Sequence, residues 1–266
     1  MTSGNAHLID IAVNLTDNAF EHDYEQVLER ARATGVSQLI IPGSSLEESS
    51  KAIVLCQKQP QRLFSTAGVH PHYSSQFPAD GIEQLRLLCR QSCVKAVGET
   101  GLDFNRDFSP RPDQIRVFEQ QLMLAAELQY PVLMHERDAH QPFYDLIRKY
   151  RDQIPRAVLH CFTGTRDQLF RLLDLDIHIG ITGWICDERR GAHLLPLLKE
   201  IPSDRLMLET DAPYLLPRDL KPKPKSRRNE PCYLPHICQV AASHLGVSCE
   251  QLAQSSSATA KAFFDL

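Results

Sequence analysis

Histidines and acidic residues stand at the carboxyl ends of short apolar runs in this sequence. Glu99 lies in VGETGLDF, His135 in PVLMHERDA, His160 in VLHCFTG and Asp211 in LETDAPYL. Imidazoles and carboxylates together are ligands for divalent Mn, Zn, Co or Mg ions. An ion held by such a set lowers the pKa of a bound water molecule and stabilises a developing anionic oxygen, which suits hydrolysis of phosphate esters or amides. The four residues are therefore candidate metal ligands.

Two of these carboxylates are also candidate catalytic residues, Glu99 at the centre and Asp211 as general base. A carboxylate beside a metal can accept the proton of an attacking water. The alternative role for Asp211 is an N-terminal cap of the turn that begins at Ala212. Glu209 would point to the same side of an extended strand, and we place it second to Asp211. A single histidine after an apolar run is usually structural, but four such ligands from four runs favour a common site.

The apolar runs predict the elements that position these residues. Eight of them recur at nearly regular intervals, are rich in β-branched residues and resemble buried parallel strands. Helix start signals lie between them, including possible capping boxes from Ser45 to Glu48 and from Thr165 to Gln168. Eight alternations without a linker predict one α/β domain over residues 1–266, a (β/α)8 TIM barrel; a doubly wound sheet is the alternative, and its Gly-rich phosphate loop is missing. The predicted strands are Leu8 to Val13, Gln38 to Pro42, Leu63 to Val69, Val94 to Gly98, Val132 to His135, Ala157 to Cys161, Ile177 to Ile181 and Leu206 to Thr210.

The composition excludes several classes of protein. With 266 residues, 42% of them hydrophobic and 23% charged, the chain is globular rather than disordered. The net charge of -4 argues against coating of nucleic acid by bulk positive charge. No apolar run is long enough to span a membrane, and the first residues lack a signal-peptide pattern. The eight cysteines form no dense framework, so we expect a cytoplasmic chain with reduced thiols.

A basic segment follows Asp211. Residues 218–228 read RDLKPKPKSRR, and the prolines oppose helix formation. A loop that leaves the eighth strand of a barrel lies beside the active rim, where Lys223, Arg227 and Arg228 could neutralise substrate phosphates. A solvated loop with no such role is the alternative.

Aromatic residues also follow the strand ends, and Trp184 and Tyr214 are the first candidates for stacking on unpaired bases. Such stacking contributes about 1–3 kcal/mol per base. Most aromatic residues in these loops simply pack the loop, which is the alternative here. Arg137, two residues after His135, is a candidate phosphate contact, although an ion pair with Asp138 would also explain it.

The order of these motifs resembles the TatD family of metal-dependent nucleases over nearly the whole chain, from DIAVNLT at Asp10 to NEP at Asn229. The resemblance implies a TIM barrel of the metallo-dependent hydrolase type and a cytoplasmic, magnesium-dependent 3'-to-5' exonuclease that acts on single-stranded DNA and RNA, with a role in DNA repair. It also implies that Glu99, His135 and His160 bind the metal, with Asp211 as a further carboxylate, and that His70 contacts a substrate phosphate. The matching blocks are TAGVHPH, VGETGLDFNRD, MHERDA, LHCFTGT, GITGWICDERRG, ETDAPYLLPRDL and SRRNEP.

The sequence departs from the family pattern at its first strand. Many members carry Asp-x-His-x-His there, whereas this chain has Asp10, Ala12 and Asn14. Ala12 cannot coordinate a metal, and Asn14 offers only a neutral amide oxygen, which suits a hard cation. We therefore expect one well-occupied metal position at the three ligands named above and a second that is weak or absent. The expected ion is Mg²⁺, with Mn²⁺ as a substitute.

Two other functions remain open from the sequence. A small-molecule amidohydrolase could use the same barrel, but such enzymes commonly bridge two metals with a modified lysine at the fourth strand, where this chain has Glu99. A non-catalytic nucleic-acid-binding relative would fit the altered first strand; it predicts binding that survives a chelator and no turnover. Because a closed barrel has no free strand edge, we expect a monomer.

Overall fold

One eight-stranded parallel sheet forms the centre of the structure, a computed structural model that describes residues 7–266. The strands follow one another around the sheet in chain order, and each pairs in parallel with the next. The predicted (β/α)8 barrel is confirmed. The strands are β1 (Leu8–Asp10), β2 (Val36–Ile41), β3 (Leu63–Ala67), β4 (Val94–Asp103), β5 (Val132–Arg137), β6 (Ala157–Leu159), β7 (Ile177–Ile181) and β8 (Leu206–Leu208).

Eight α-helices lie between and after these strands in the described residues. After β7 the chain forms the 3-10 helices Gly183–Cys186 and Pro196–Glu200 in place of an α-helix. Of the two predicted capping boxes, Thr165 and Gln168 form a complete one, whereas Ser45 caps Glu48 and the Glu48 side chain pairs with Lys51 instead. The helices are α1 (Tyr24–Ala33), α2 (Leu46–Lys58), α3 (Gly81–Cys89), α4 (Arg111–Leu128), α5 (His140–Tyr150), α6 (Arg166–Asp174), α7 (Leu234–Leu245) and α8 (Cys249–Phe264).

The barrel closes between β8 and β1 through irregular pairing. Asp211 N donates to the carbonyl of Ala12 at 2.9 Å, and Asn14 N donates to the carbonyl of Ala212 at 2.7 Å. Beside them the buried carboxylate of Asp10 accepts hydrogen bonds from the backbone N and the hydroxyl of Thr210, at 2.9 and 2.6 Å. Because this side chain replaces part of the backbone ladder, both strands end earlier than predicted.

Strand β4 is longer than predicted and changes its register. Its pairing with β5 shifts between Val97 and Thr100 and then continues to Asp103. Gly101 lies within this stretch at φ 146°, and a Cβ there would collide with the carbonyl of His135. Only glycine adopts this conformation readily. The shift reverses which residues of β4 face the barrel interior after Gly98.

Two apolar layers stabilise the barrel. One lies between the strands and the helices, and the other fills the interior with Ile9, Ile40 and Leu133 among others. Phe263 and Phe264 at the end of α8 are buried in the interior cluster and close the mouth opposite the carboxyl ends of the strands. Among residues 7–266, no helix has both the length and the apolar character that crossing a membrane requires.

We predict that His178 makes the folding stability pH-dependent. Its ring contacts Phe263 at 5.0 Å between centroids, and burial, followed by the charge of Arg205, lowers its pKa to about 4. The unfolded state therefore takes up this proton first, and stability falls as the pH drops from 6.5 towards 4, by at most about 3 kcal/mol. Urea unfolding across that range should give a flatter profile for His178→Gln than for the wild type. The exposed His244→Gln serves as control, and equal slopes in all three proteins would contradict the prediction.

Candidate metal centre

Three histidine rings surround one carboxylate oxygen at the carboxyl ends of the strands. Oε1 of Glu99 lies 2.8 Å from Nε2 of His160, 3.2 Å from Nδ1 of His135 and 3.3 Å from Nε2 of His70. Ligand atoms of His70, Glu99 and His135 all fall within 4.8 Å of one another. The structure thus brings together three of the four predicted ligands and also the predicted phosphate contact.

Strand alternation explains how these side chains converge. His135 follows Leu133 by two residues, and His160 follows Val158 by two residues, and both apolar residues belong to the interior cluster. Side chains two residues apart point to the same face of a strand. Glu99 joins them only because β4 shifts its register: beyond the shift Thr100 faces outward and accepts a hydrogen bond from Gln121 of α4 at 2.7 Å.

Two further carboxylates face the outer nitrogens of the rings. Oδ2 of Asp103 is 3.6 Å from Nε2 of His135, and Oε2 of Glu209 is 3.5 Å from Nδ1 of His160. Asp103 also bonds Nε2 of His72 at 2.7 Å. Histidines that bind metals commonly direct their other nitrogen towards a carboxylate, which fixes the tautomer. This arrangement leaves Nδ1 of His135 and Nε2 of His160 as the nitrogens available to a metal.

The third ring, His70, directs an N–H group rather than a lone pair towards Glu99. Its Nδ1 accepts a hydrogen bond from the backbone N of His72 at 3.2 Å, so the proton of the neutral ring is on Nε2. Burial lowers the pKa of His70 to about 4, although Glu99 opposes this, and the ring is therefore neutral near pH 7. Its Nε2 is a hydrogen-bond donor and has no free lone pair for a metal.

The charges of the centre are strongly coupled. Burial alone would raise the pKa of Glu99, but His160 and His70, together with a hydrogen bond from His135, hold that pKa well below its usual value. Burial would likewise lower the pKa of His160, but Glu99 and Glu209 raise it well above the usual value. Glu99, His135 and His160 therefore stabilise one another as opposite charges, a role that a cation among them can share.

Asp211 lies at the edge of this centre and is held by the first strand. Asn14 Nδ2 donates to Oδ1 of Asp211 at 3.1 Å. Burial raises the pKa of Asp211 to about 7, while His160 opposes this and Glu99 adds to it. The Asp211 side chain bonds Asn14, and its backbone carbonyl accepts the turn bond from Tyr214 N, so the alternative capping role does not describe its side chain. The two residues that depart from the family pattern, Ala12 and Asn14, both hold Asp211.

A cleft of about 520 Å³ leads from solvent to the centre. Tyr73 and Tyr214 line it and are 41% and 53% exposed. The hydroxyl of Tyr214 donates to Oδ2 of Asp17 at 2.7 Å, which fixes the ring at the wall of the cleft.

Arg137 and Trp184 lie outside this cleft, on the side of β5 and β7. Arg137 Nη1 donates to Oγ1 of Thr163 at 3.0 Å, and its guanidinium lies 5.5 Å from the Trp184 ring centroid. Arg190 lies closer to the same ring, at 4.2 Å. The two guanidinium groups already occupy the ring, which favours packing of the loop over base stacking at Trp184.

The basic loop, residues 218–228, is anchored at its end by Arg228. The guanidinium of Arg228 pairs with Asp23 and with Glu230, each at 2.7 Å, and donates to the carbonyl of Ala19 at 2.6 Å. These contacts favour a structural role for Arg228 over the expected phosphate contact. Lys223 and Arg227, by contrast, are exposed.

Three residues of the site were missed or underrated in the sequence analysis. Asp103 and His72 were assigned no role there, and Glu209 was placed second to Asp211. Asp103 stands four residues after Glu99 in GLDF, and only the register shift of β4 brings it to His135. The alternation of β8 indicated that Glu209 faces the same side as Asp211. In the structure Glu209 contacts His160 and accepts a hydrogen bond from Cys161 N.

We predict that Glu209→Gln weakens divalent-metal binding about 10- to 100-fold, because it removes the charge that faces the outer nitrogen of His160. Calorimetric titration of metal-free protein with Mn²⁺ measures this directly. The exposed Glu250→Gln should bind as the wild type does. Wild-type affinity in Glu209→Gln would show that Glu209 does not orient the ring.

The barrel with buried imidazoles and carboxylates at the carboxyl ends of its strands defines a hydrolase with a candidate metal centre. A family model described as TatD related DNase matches residues 9–265. The chain belongs to this family, and the predicted resemblance is confirmed.

Relatives and solved structures agree with this membership. The chain is 52% identical over 259 residues to a Pectobacterium parmentieri protein named 3'-5' ssDNA/RNA exonuclease TatD, covering 97% of this chain and 100% of the relative. A protein of the same name from Edwardsiella piscicida is 54% identical over 235 residues, covering 88% and 90%. The crystal structure of a TatD family hydrolase from Entamoeba histolytica has a TM-score of 0.88 at 28% identity, covering 97% and 98%. The Escherichia coli TatD homologue YjjV also has a TM-score of 0.88, at 27% identity, covering 98% and 99%.

Proposed function

We propose that this protein is a metal-dependent 3'-to-5' exonuclease that hydrolyses phosphodiester bonds of single-stranded DNA and RNA. The observation that carries the proposal is the convergence of three imidazoles on Glu99 at the end of an open cleft. Family membership supports nuclease chemistry, and the names of relatives about 50% identical support the polarity and the substrates. A role in DNA repair remains a prediction from the resemblance.

The residues present fit a divalent cation. Nδ1 of His135 and Nε2 of His160 converge on Oε1 of Glu99, at 3.2 and 2.8 Å, and the carboxylates of Asp103 and Glu209 stand behind the outer ring nitrogens, as is common for histidines that bind metals. Glu99, His135 and His160 would hold the ion, with Asp211 as a further carboxylate. We assign Mg²⁺, with Mn²⁺ as a substitute, since carboxylates suit Mg²⁺ and imidazoles occur in Mn²⁺ sites. When bound, such an ion polarises a phosphoryl oxygen and lowers the pKa of water.

A single strong metal position follows from the contacts of the first strand. Ala12 contributes no side-chain ligand, and the amide of Asn14 donates to Asp211. A second ion would need ligands that these two residues do not supply, so we propose that a second position is weak or absent.

The other residues of the cleft bind and orient the substrate. Nε2–H of His70 donates to a phosphate oxygen, and Asp211, oriented by Asn14, accepts the proton of the attacking water. A carboxyl whose pKa is about 7 can exchange a proton near neutral pH. Tyr214 stacks on a base at the wall of the cleft, and Lys223 and Arg227 neutralise flanking phosphates. Arg137 remains a weaker candidate because its guanidinium is directed to Thr163.

The proposal is tested with end-labelled single-stranded, duplex and circular DNA and with RNA, each incubated with Mg²⁺, Mn²⁺, Zn²⁺ or EDTA. We expect metal-dependent release of mononucleotides from the 3' end of single strands. Cleavage of circular DNA would reject an exonuclease, and early loss of 5' label would reject the polarity. Binding that survives EDTA without turnover under any metal would favour the non-catalytic alternative.

The double variant Lys223→Ala, Arg227→Ala is expected to bind single strands with a shallower salt dependence. Each lost phosphate contact should reduce the slope of log K against log salt by about 0.7, so the pair should reduce it by about 1.4. Fluorescence anisotropy in EDTA measures the slope without cleavage. The matched control is the double variant that carries both Lys95→Ala and Lys261→Ala, two residues at the opposite mouth of the barrel. An unchanged slope would leave the loop without a role in binding.

We further infer that the protein acts as a monomer in the cytoplasm. The hydrogen bonds between β8 and β1 leave little strand edge for pairing with a second chain. All eight cysteines are free thiols, as in reducing compartments. Light scattering during size-exclusion chromatography tests the monomer, and a dimer mass would contradict it.

A further inference from the structure

Cys186, Asp219 and His236 meet away from the candidate metal centre. Cys186 ends the 3-10 helix that follows β7, Asp219 lies in the basic loop, and His236 lies in the first turn of α7. Nε2 of His236 is 2.7 Å from Oδ1 of Asp219, and the sulfur, a carboxylate oxygen and a ring nitrogen all lie within 4.8 Å of one another. Three segments of the chain thus bring three different metal-ligating groups to one point.

This cluster differs chemically from the candidate metal centre because it contains a thiol. A thiolate with an imidazole and a carboxylate suits zinc, whereas Mg²⁺ takes oxygen ligands. Cys186 is buried, while the side chains of Asp219 and His236 are 43% and 26% exposed. Water can therefore reach the fourth position of a tetrahedral site that has three protein ligands.

When no cation is present, the surroundings of Cys186 disfavour its thiolate form. Burial raises the pKa of the Cys186 thiol well above its usual value, and the neighbouring charge of Asp219 adds to this, so the sulfur keeps its proton. Binding of a zinc ion would release that proton to solvent and form a sulfur–metal bond in its place. The carboxylate of Asp219 disfavours a free thiolate at Cys186, but with the ion present it becomes a second ligand beside the sulfur.

We propose that Cys186, Asp219 and His236 bind one zinc ion, which fastens the basic loop to the barrel. The loop already has contacts at both ends: Arg218 lies 3.6 Å from Asp187, and Arg228 is paired as described above. The ion adds a metal-coordinated anchor next to the first of them.

The anchor restricts the exposed stretch that carries Lys223 and Arg227. Cations that are ordered before binding lose less conformational entropy when they meet a phosphate backbone. Zinc at this site therefore strengthens binding of single strands. This consequence rests on the proposed function, whereas the zinc site itself does not.

The zinc site is tested by titrating metal-free protein with Co²⁺ as a spectroscopic probe. A thiolate ligand gives a charge-transfer band in the near ultraviolet, which the centre at Glu99 cannot produce because it has no sulfur ligand. We expect the wild-type band to saturate by two equivalents, because the centre at Glu99 also takes up Co²⁺, and to disappear on addition of Zn²⁺. Cys186→Ser should lack the band, while Cys161→Ser, which removes the thiol of the active cleft, should keep it. No band in the wild type, or a band lost only in Cys161→Ser, would overturn the proposal.

A second variant keeps the test decisive if Cys186→Ser does not fold. His236→Gln changes a partly exposed side chain and should weaken Co²⁺ binding at the thiol site by more than tenfold, since even partners that only orient a ligand account for about 10- to 100-fold. Unchanged affinity would reject the site. None of these readouts uses cleavage, so the two proposals can fail separately. A protein that shows the band but cleaves no nucleic acid supports the zinc site and rejects the proposed function. A protein that cleaves but shows no band rejects the zinc site alone.

The effect on the loop is measured in a Glu99→Gln background, which separates it from cleavage. Zinc should tighten single-strand binding several-fold in the single variant Glu99→Gln. It should leave binding unchanged in the double variant that carries both Glu99→Gln and Cys186→Ser. Equal responses in the two proteins would reject the fastening of the loop.

Discussion

Glu99→Gln is expected to lower kcat/KM for single-stranded DNA at least about 1,000-fold. The substitution keeps the size of the side chain and removes the charge around which His70, His135 and His160 are arranged. A catalytic metal contributes several kcal/mol to the transition state, and each 1.36 kcal/mol corresponds to a factor of ten. The measurement is single-turnover release of 3' label, with bound metal determined on the same samples.

Two comparisons make this result specific. Glu83→Gln, on the exposed face of α3, should retain wild-type turnover and metal content. Single-strand binding in EDTA should be similar for Glu99→Gln and the wild type, because neither then holds the ion. If Glu99→Gln cleaved within tenfold of the wild type with full metal content, the metal would have to be bound elsewhere.

Asp211→Asn should lower kcat about 100- to 10,000-fold, the range that a positioned general base contributes. KM for the strand and the bound metal should change little, because Glu99, His135 and His160 remain. Asn14→Ala removes only the side-chain hydrogen bond to Asp211 and should cost less, about 10- to 150-fold for a bond to a charged group.

The pair of variants also distinguishes the two roles open to this carboxylate. Loss of metal in Asp211→Asn would make Asp211 a ligand rather than the base. A larger loss in Asn14→Ala than in Asp211→Asn would mean that Asn14 acts on the substrate itself.

How much the sequence predicts depends on which forces place a residue. His135 and His160 end regular strands, so apolar alternation alone puts their rings inside the barrel. Glu99 was predicted from its position after a strand, but its orientation depends on the shifted register of β4, which no local pattern reveals. Asp103 was not predicted as a site residue for the same reason.

Contacts across long sequence separation account for the other differences. Arg228 was expected to face phosphate because it ends a basic run, yet its partner Asp23 comes from the first β–α connection. Asn14 was predicted to be a poor metal ligand, but its bond to Asp211 follows from barrel closure, which the local sequence does not reveal. Local patterns therefore predicted the fold and the side chains that converge at its centre, and tertiary pairing determined what surrounds them.

The seam between β1 and β8 has a consequence for biosynthesis. Asp10 and Asn14 emerge from the ribosome early, while their partners Thr210 and Asp211 emerge only after all eight strands have been made. The last closure of the barrel and the completion of the cleft are thus a single event. A nascent chain that ends before Asp211 carries Glu99, His135 and His160 without the proposed proton acceptor, so the proposed nuclease is far less active towards RNA near the ribosome until the barrel closes.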